Sequence, residues 1–289
     1  MFEPLSAEIW FSHFVQSFSN SSADYFFLVL TQLGNPMLWI ALSAFLYWKG
    51  EEKKSFFLTV TLLFAAALVG LLKPLTARLR PSPEEFRVLV FETDSPYGLP
   101  SGHATTISGI FGYYWEMFAK NAKLFGLAIL ILVLFSRVYF GAHFIGDIIV
   151  GALFGFLIGR IVHYVEQQFA KIKFNQKRVL EEIGLVSAIL LGIVVSLALR
   201  DLAIASGFLG YFGGVFAFKL MNMDSQKLSG KKLWVKEIIG FAGLGGIVVL
   251  TQFSAVSAEA YFLAGAWITF AYPALYGRIA IKRGPATAH

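Results

Sequence analysis

Two histidines, one carboxylate and a group of cations stand out from an otherwise apolar chain, gathered in three short blocks. The first block runs from Lys73 to Pro81 and holds Lys73, Arg78 and Arg80. The second is Pro100-Ser101-Gly102-His103, and the third is Ser136-Arg137 followed by His143 and Asp147. Lys73, Arg80 and Arg137 can together neutralise an oxyanion, and an arginine fork bonds two oxygens at once. Ser101, Gly102 and His103 fall where a helix begins. There, unpaired N–H groups and the positive dipole end favour an anion, and glycine lets it come close. His143 and Asp147 are four residues apart and share a helical face. A carboxylate on one ring nitrogen fixes the tautomer and leaves a lone pair on the other nitrogen for attack. His103 is then the acid that protonates a leaving oxygen. The inventory describes phosphoryl transfer through a phosphohistidine.

Each residue also has a plainer reading. Arg78 and Arg87 are expected to be interface anchors whose stems lie along apolar surface. Arg80, taken alone, fits that role as well as a functional one. A single histidine in a membrane bundle can serve as a helix–helix hydrogen bond. Pro100 to Gly102 can be punctuation before a helix, and Arg137 with Asp147 can be an ion pair closing a hairpin. These readings weaken when the residues are taken together, because ionisable groups are costly in a bilayer and do not collect on one face without a use.

The elements that must position them are membrane helices. Hydrophobic residues make up 57% of the 289 and charged ones only 15%, against about 25% charged in a soluble domain. Phe alone contributes 30 residues, and Cys none. The absence of Cys excludes disulfides, thiolate metal sites and a thiol nucleophile. Apolar runs of spanning length lie near 25–48, 55–72, 101–119, 123–141, 144–163, 183–200, 203–221, 237–253 and 259–277. The expected fold is therefore all-α: a polytopic membrane bundle of about nine transmembrane helices, since a lipid-embedded backbone must satisfy its own hydrogen bonds. No internal repeat is apparent. The domains read as an outer interfacial segment at 1–24, a catalytic membrane core at 25–165, a cytoplasmic linker at 166–182 and C-terminal helices at 183–289.

The net charge of +6 is carried by loops after alternate spans: Lys49, Lys53 and Lys54; Lys120 and Lys123; Lys171 to Arg178; Lys227 to Lys236; and Arg278 to Arg283. Nine spans put all five segments on one face, which the positive-inside rule makes cytoplasmic. The charge thus points to topology, with no nucleic-acid partner. The N-terminus and the three polar blocks fall on the outer, exoplasmic side, and the C-terminus is cytoplasmic. Residues 1–20 carry no Lys or Arg and no long apolar core, so they do not read as a signal peptide. Trp10, Phe14 and Phe18 are spaced by four along one helical face. They suit a short helix lying in the outer interface, or equally one that caps the bundle. Between the first two polar blocks, the apolar stretch Phe86 to Phe91 either leans on the bilayer or packs as a lid.

The three blocks resemble the type 2 phosphatidic acid phosphatase superfamily. Its pattern of Lys-x6-Arg-Pro, Pro-Ser-Gly-His and Ser-Arg-x5-His-x3-Asp is met at Lys73, Arg80-Pro81, Pro100 to His103, Ser136-Arg137, His143 and Asp147. The resemblance covers roughly residues 25 to 163. It implies that His143 is the nucleophile, Asp147 orients it and His103 is the general acid, while Lys73, Arg80, Ser101, Gly102 and Arg137 hold the phosphate. It also implies no metal and no cofactor, with membrane lipids around the protein and a lipid phosphate or diphosphate as substrate. The candidates are a polyprenyl diphosphate, phosphatidic acid, phosphatidylglycerol phosphate, a sphingoid-base phosphate and a lipid A phosphate. Nine spans also look like the glucose-6-phosphatase and sphingosine-1-phosphate phosphatase branches, which leaves a soluble sugar phosphate as an alternative. A non-catalytic transporter or scaffold is a second alternative, against which the His143–Asp147 pairing speaks. Vanadium haloperoxidases share the anion-binding pattern but are soluble, and the spans argue against them.

Overall fold

The computed structural model describes residues 2–90, 95–171, 202–221, 223, 230–250 and 257–282. These residues are helical almost throughout. The helices are α1 (Ser6–Gln16), α2 (Ser21–Thr31), α3 (Pro36–Trp48), α4 (Glu52–Thr76), α5 (Gly102–Tyr114), α6 (Lys120–Tyr139), α7 (Ile145–Lys171), α8 (Leu202–Leu220), α9 (Gly230–Leu250), α10 (Ser257–Ala266) and α11 (Tyr272–Lys282). Among the described residues, α4, α6, α7 and α9 are long and apolar enough to cross a membrane, and a fifth span is reached if α2 and α3 count as one bent helix. The all-helical membrane class holds. Of the nine expected spans, the one at 183–200 lies outside the described residues. The one at 101–119 is a helix of 13 residues closed by the 3₁₀ turn Trp115–Met117.

The expected first span, 25–48, is broken. A 3₁₀ turn at Gln32–Gly34 separates α2 from α3, and the two helices meet at 53°. The local residues explain the break. Pro36 opens α3, where its missing N–H costs nothing, and Asn35 Oδ1 accepts the Met37 N–H at 3.0 Å. Asn20, which in sequence matches a glycosylation signal, caps α2 by accepting the Ala23 N–H at 3.0 Å.

The chain divides into two compact units, the first taking residues 1–40 and 57–170 and the second 41–56 and 171–289. In the first, α5 and α7 touch backbone to backbone. A Cβ on Gly155 would lie 2.2 Å from the Thr105 carbonyl oxygen, and one on Gly159 would lie 2.0 Å from that of Gly109. Beside this seam a buried core of Val15, Ala104, Val138, Tyr139, Phe140 and Ile148 joins α1, α5, α6 and α7. In the second unit α8 and α10 make a similarly close contact, with Gly210 against the Phe262 carbonyl. There the hydroxyls of Ser55 and Tyr211 meet at 2.7 Å, and Lys236 Nζ donates to the Trp48 carbonyl at 2.5 Å. Helix α7 runs on to Lys171, into the stretch read from sequence as a linker.

Candidate active site

All three polar blocks lie in the first unit, and the structure brings them together. Lys73 sits in the last turn of α4, whose end is fixed by Ala77 at φ 46°. Beyond it the chain doubles back. The Arg80 N–H donates to the Pro96 carbonyl at 3.1 Å, and the Gly98 N–H to the Arg78 carbonyl at 2.7 Å. This short antiparallel pairing leads into α5 and sets Arg80 beside the other blocks.

Ser101 is the N-cap of α5 and fully buried. Its own N–H donates to the Asp147 carbonyl at 3.0 Å, tying the start of α5 to the first turn of α7. Gly102 and His103 open the helix, so their N–H groups have no carbonyl one turn back within it. The His103 ring lies against Gly34, where a Cβ would come within 2.8 Å of its Cδ2 atom. The break between α2 and α3 therefore makes the room that His103 occupies.

Helix α6 ends at Tyr139, and just beyond it Gly141 has a φ of +64° that suits the left-handed position after a helix. The N–H groups of Ala142 and His143 both return to the Arg137 carbonyl, at 3.0 and 3.3 Å. One carbonyl thus folds the turn that places Arg137 and His143 side by side. Arg137 is fully buried and donates from Nη1 to Thr31 Oγ1 at 2.7 Å. His143 lies in the turn before α7. Its Nδ1 is 3.5 Å from Asp147 Oδ2, and its Nε2 is 3.4 Å from Arg80 Nη1. Arg80 also donates to the Ala142 carbonyl at 3.1 Å and, through Nε, to that of Ser95 at 3.1 Å. Burial first, and then the charges of Arg80, Arg137 and Lys73, hold the His143 imidazole well below its ordinary range and so keep it neutral. The same three cations lie near enough to His103 to act on it. The constellation is a neutral imidazole between a carboxylate and a guanidinium, next to a helix start and three positive charges. It can receive an anion and present a nitrogen lone pair to it.

Arg78 and Arg87 are not the interface anchors expected from sequence. Arg78 is buried and paired, with Nη2 at 2.5 Å from Glu8 Oε2 and Nη1 at 3.4 Å from Asp147 Oδ1. Arg87 grips Asp24 with both terminal nitrogens, at 2.9 and 2.6 Å. Of the two readings of the loop after Arg80, its described part fits packing: Phe86 is buried against the rings of His13 and Phe144. Glu8 and Thr31 carry no signal of their contacts in the sequence, where a lone polar residue near a helix end reads as solvated.

The three blocks fall in a segment that matches a known family. The family model described as the PAP2 superfamily covers residues 54–171, which include all three blocks. This segment is similar to the PAP2 superfamily. Outside it, the PAP2 segment is joined to helices on both sides, among them α1 with Glu8. A Porphyromonas gingivalis protein named lipid A 4'-phosphatase is 28% identical over 152 residues, which cover 49% of this chain and 64% of that protein. An Arabidopsis thaliana protein named lipid phosphate phosphatase delta is 28% identical over 160 residues, covering 50% of this chain and 38% of that one. The chain thus spans less than two thirds of either relative. Among solved structures, the crystal structure of Aquifex aeolicus LpxE aligns with a TM-score of 0.41 at 22% identity, over 56% of this chain and 98% of its own.

Proposed function

We propose that this protein is a membrane phosphatase that hydrolyses a lipid phosphate or lipid diphosphate through a phosphohistidine, without a metal, on the exoplasmic side of the membrane. The observation that carries the reading is the two-sided environment of His143, with Asp147 at 3.5 Å from Nδ1 and Arg80 at 3.4 Å from Nε2. In the first step Nε2 attacks phosphorus and the P–O bond to the leaving group breaks, while His103 gives its proton to the departing oxygen. In the second step His103 takes a proton from water, the resulting hydroxide attacks phosphorus, the N–P bond breaks and orthophosphate leaves. Lys73, Arg80 and Arg137, with the backbone at Ser101 and Gly102, hold the phosphoryl oxygens as charge spreads over them. Asp147 keeps the proton on Nδ1.

A lipid substrate is supported by the names of the relatives, lipid A 4'-phosphatase and lipid phosphate phosphatase delta, and by the apolar helices around the site. The test is phosphate release by the purified protein in detergent. Phosphatidic acid, a polyprenyl diphosphate, a sphingoid-base phosphate and a lipid A phosphate should be run beside glucose 6-phosphate. Release from one or more lipids, with little from the sugar phosphate, is expected. Release from the sugar phosphate alone would overturn the substrate class.

A further inference from the structure

Asp147 Oδ2, which faces His143, also accepts the Phe144 N–H at 3.0 Å, and the other oxygen has a charged neighbour. Arg78 lies with Nη1 at 3.4 Å from Asp147 Oδ1, while its other terminal nitrogen, Nη2, is 2.5 Å from Glu8 Oε2. Glu8 belongs to α1, outside the PAP2 segment, and is buried. Both of its oxygens are further engaged: Oε2 accepts the Leu5 N–H at 2.7 Å, and Oε1 accepts the Gly146 N–H at 2.8 Å. Gly146 immediately precedes Asp147 at the N-terminal end of α7, where the helix dipole favours a carboxylate. A Cβ on Gly146 would lie 2.4 Å from Glu8 Oε1 and 2.9 Å from Arg78 Nη1, so the fit needs the glycine. On its other side Asp147 meets Gly98, where a Cβ would be 2.7 Å from Oδ2. One guanidinium is thus shared by two buried carboxylates, one of them the partner of the attacking histidine.

We infer that Glu8 and Arg78 are positioning residues for the reaction, through which α1 sets how far Asp147 leans toward His143. The inference rests on the phosphohistidine reading of the site. Glu8 holds Arg78 back. Without that tether, the guanidinium turns its full hydrogen-bonding capacity on Asp147 and draws it from the imidazole, as a buried charge left without its partner seeks another. Without Arg78, Asp147 loses the contact that fixes its second oxygen. Both changes loosen the orientation of the imidazole and leave the phosphate-holding cations in place. The expected loss is therefore in kcat and not in binding. By analogy with the outer partners of metal-ligating histidines, such a contact is worth roughly 10-fold or more.

The test uses the full chain in detergent, with Glu8→Gln, Arg78→Met and the double variant, on dioctanoyl phosphatidic acid with orthovanadate as competitor. Arg78→Met alone strands the Glu8 charge and risks misfolding, whereas the double variant removes both charges. The double variant is expected to fold and to lose about 10-fold in kcat, with KM and the vanadate inhibition constant within about twofold of the parent. In parallel, 15N spectra of histidine-labelled protein read the His143 tautomer, assigned by the signal lost in His143→Ala. The parent should hold its proton on Nδ1, and both Glu8→Gln and the double variant should show a mixture. A double variant with the parental kcat and the parental tautomer would overturn the inference, leaving the pair as a support for folding only. A parent that releases no phosphate from any lipid, while the tautomer still follows the variants, would instead sink the proposed function and leave the positioning role standing.

Discussion

His143 has one ring nitrogen toward a carboxylate and the other toward a guanidinium, and the two sides predict different mutational costs. His143→Ala removes the attacking atom and should abolish turnover in a protein that still folds. Asp147→Asn removes orientation only and should leave a measurable residue, about 10⁴-fold down by analogy with the loss of an orienting carboxylate elsewhere. Initial rates on matched, monodisperse preparations decide this, and a His143→Ala protein near the parental rate would refute the nucleophile. The pH profile follows from the same environment. Burial and three cations depress the His143 imidazole below its reference value of 6.5. The neutral, nucleophilic form then persists as pH falls, so the acid limb of kcat/KM due to this group should lie below pH 6.5. The sign of the coupling can be checked with Arg80→Gln, which removes a positive neighbour and should move that limb upward. A limb that moved down, or not at all, would contradict the electrostatic account.

At the scale of the helices, the distance between the residue at the start of α5 and those at the start of α7 is set by backbone against backbone. Gly155→Ala would thrust a methyl to 2.2 Å from the Thr105 carbonyl, a contact that only a shift of the whole helix relieves. Such overpacking costs roughly 1–3 kcal/mol, and thermal unfolding in detergent should fall accordingly, with activity reduced even where the protein remains folded. A substitution without effect on either would mean that the helices slide freely. This also marks what could be read from sequence. Each polar block is contiguous, so Lys73, Arg80, Ser101, Gly102, His103, Arg137, His143 and Asp147 could be picked out by type and spacing alone. Glu8 and Arg78 could not. Their pairing joins residues 70 apart, and α1 turns Trp10 and Phe14 outward while Glu8 faces in, so its apolar stripe pointed away from the face that matters. The bend at Gln32–Gly34 had a visible signal in Gly34-Asn35-Pro36, but the run of apolar residues across it reads as one span. The break also leaves room for the ring of His103, which lies far along the chain.

For the molecule as a whole, the pattern of charge predicts sidedness. The basic segments are expected to be cytoplasmic and the site exoplasmic. Because the native chain has no Cys, single cysteines report without background. A Cys at Ser254 should react with an impermeant thiol reagent in intact cells, and one at Gly230 should not. The reverse pattern would move the chemistry to the cytoplasmic face. The charge of the site makes a second prediction. Lys73, Arg80 and Arg137 would repel a divalent cation and can themselves neutralise the transferring group. Activity should survive excess EDTA and fall with orthovanadate, which adopts five-coordinate geometry. An enzyme silenced by EDTA and restored by magnesium or zinc would defeat this mechanism.

The seam between α5 and α7 has a double. In α5 the residues are Ser108-Gly109-Ile110-Phe111-Gly112-Tyr113, and in α8 they are Ser206-Gly207-Phe208-Leu209-Gly210-Tyr211. Their partners are Phe156-Leu157-Ile158-Gly159 in α7 and Phe262-Leu263-Ala264-Gly265 in α10. A Cβ on Gly159 would meet the Gly109 carbonyl at 2.0 Å and the Tyr113 nitrogen at 2.5 Å, and one on Gly265 would meet the Gly207 carbonyl at 2.2 Å and the Tyr211 nitrogen at 2.5 Å. The two units thus spell the same helix clasp in nearly the same letters, with the glycines and tyrosines in register, too short a rhyme to catch the eye before the contacts reveal it. Only one copy bears the reactive groups: counting back from Gly207 as far as His103 stands before Gly109 lands on Asp201. The clasp is therefore a device for joining two helices in lipid, where small residues let backbones meet, and the polar blocks accompany only one of its two instances.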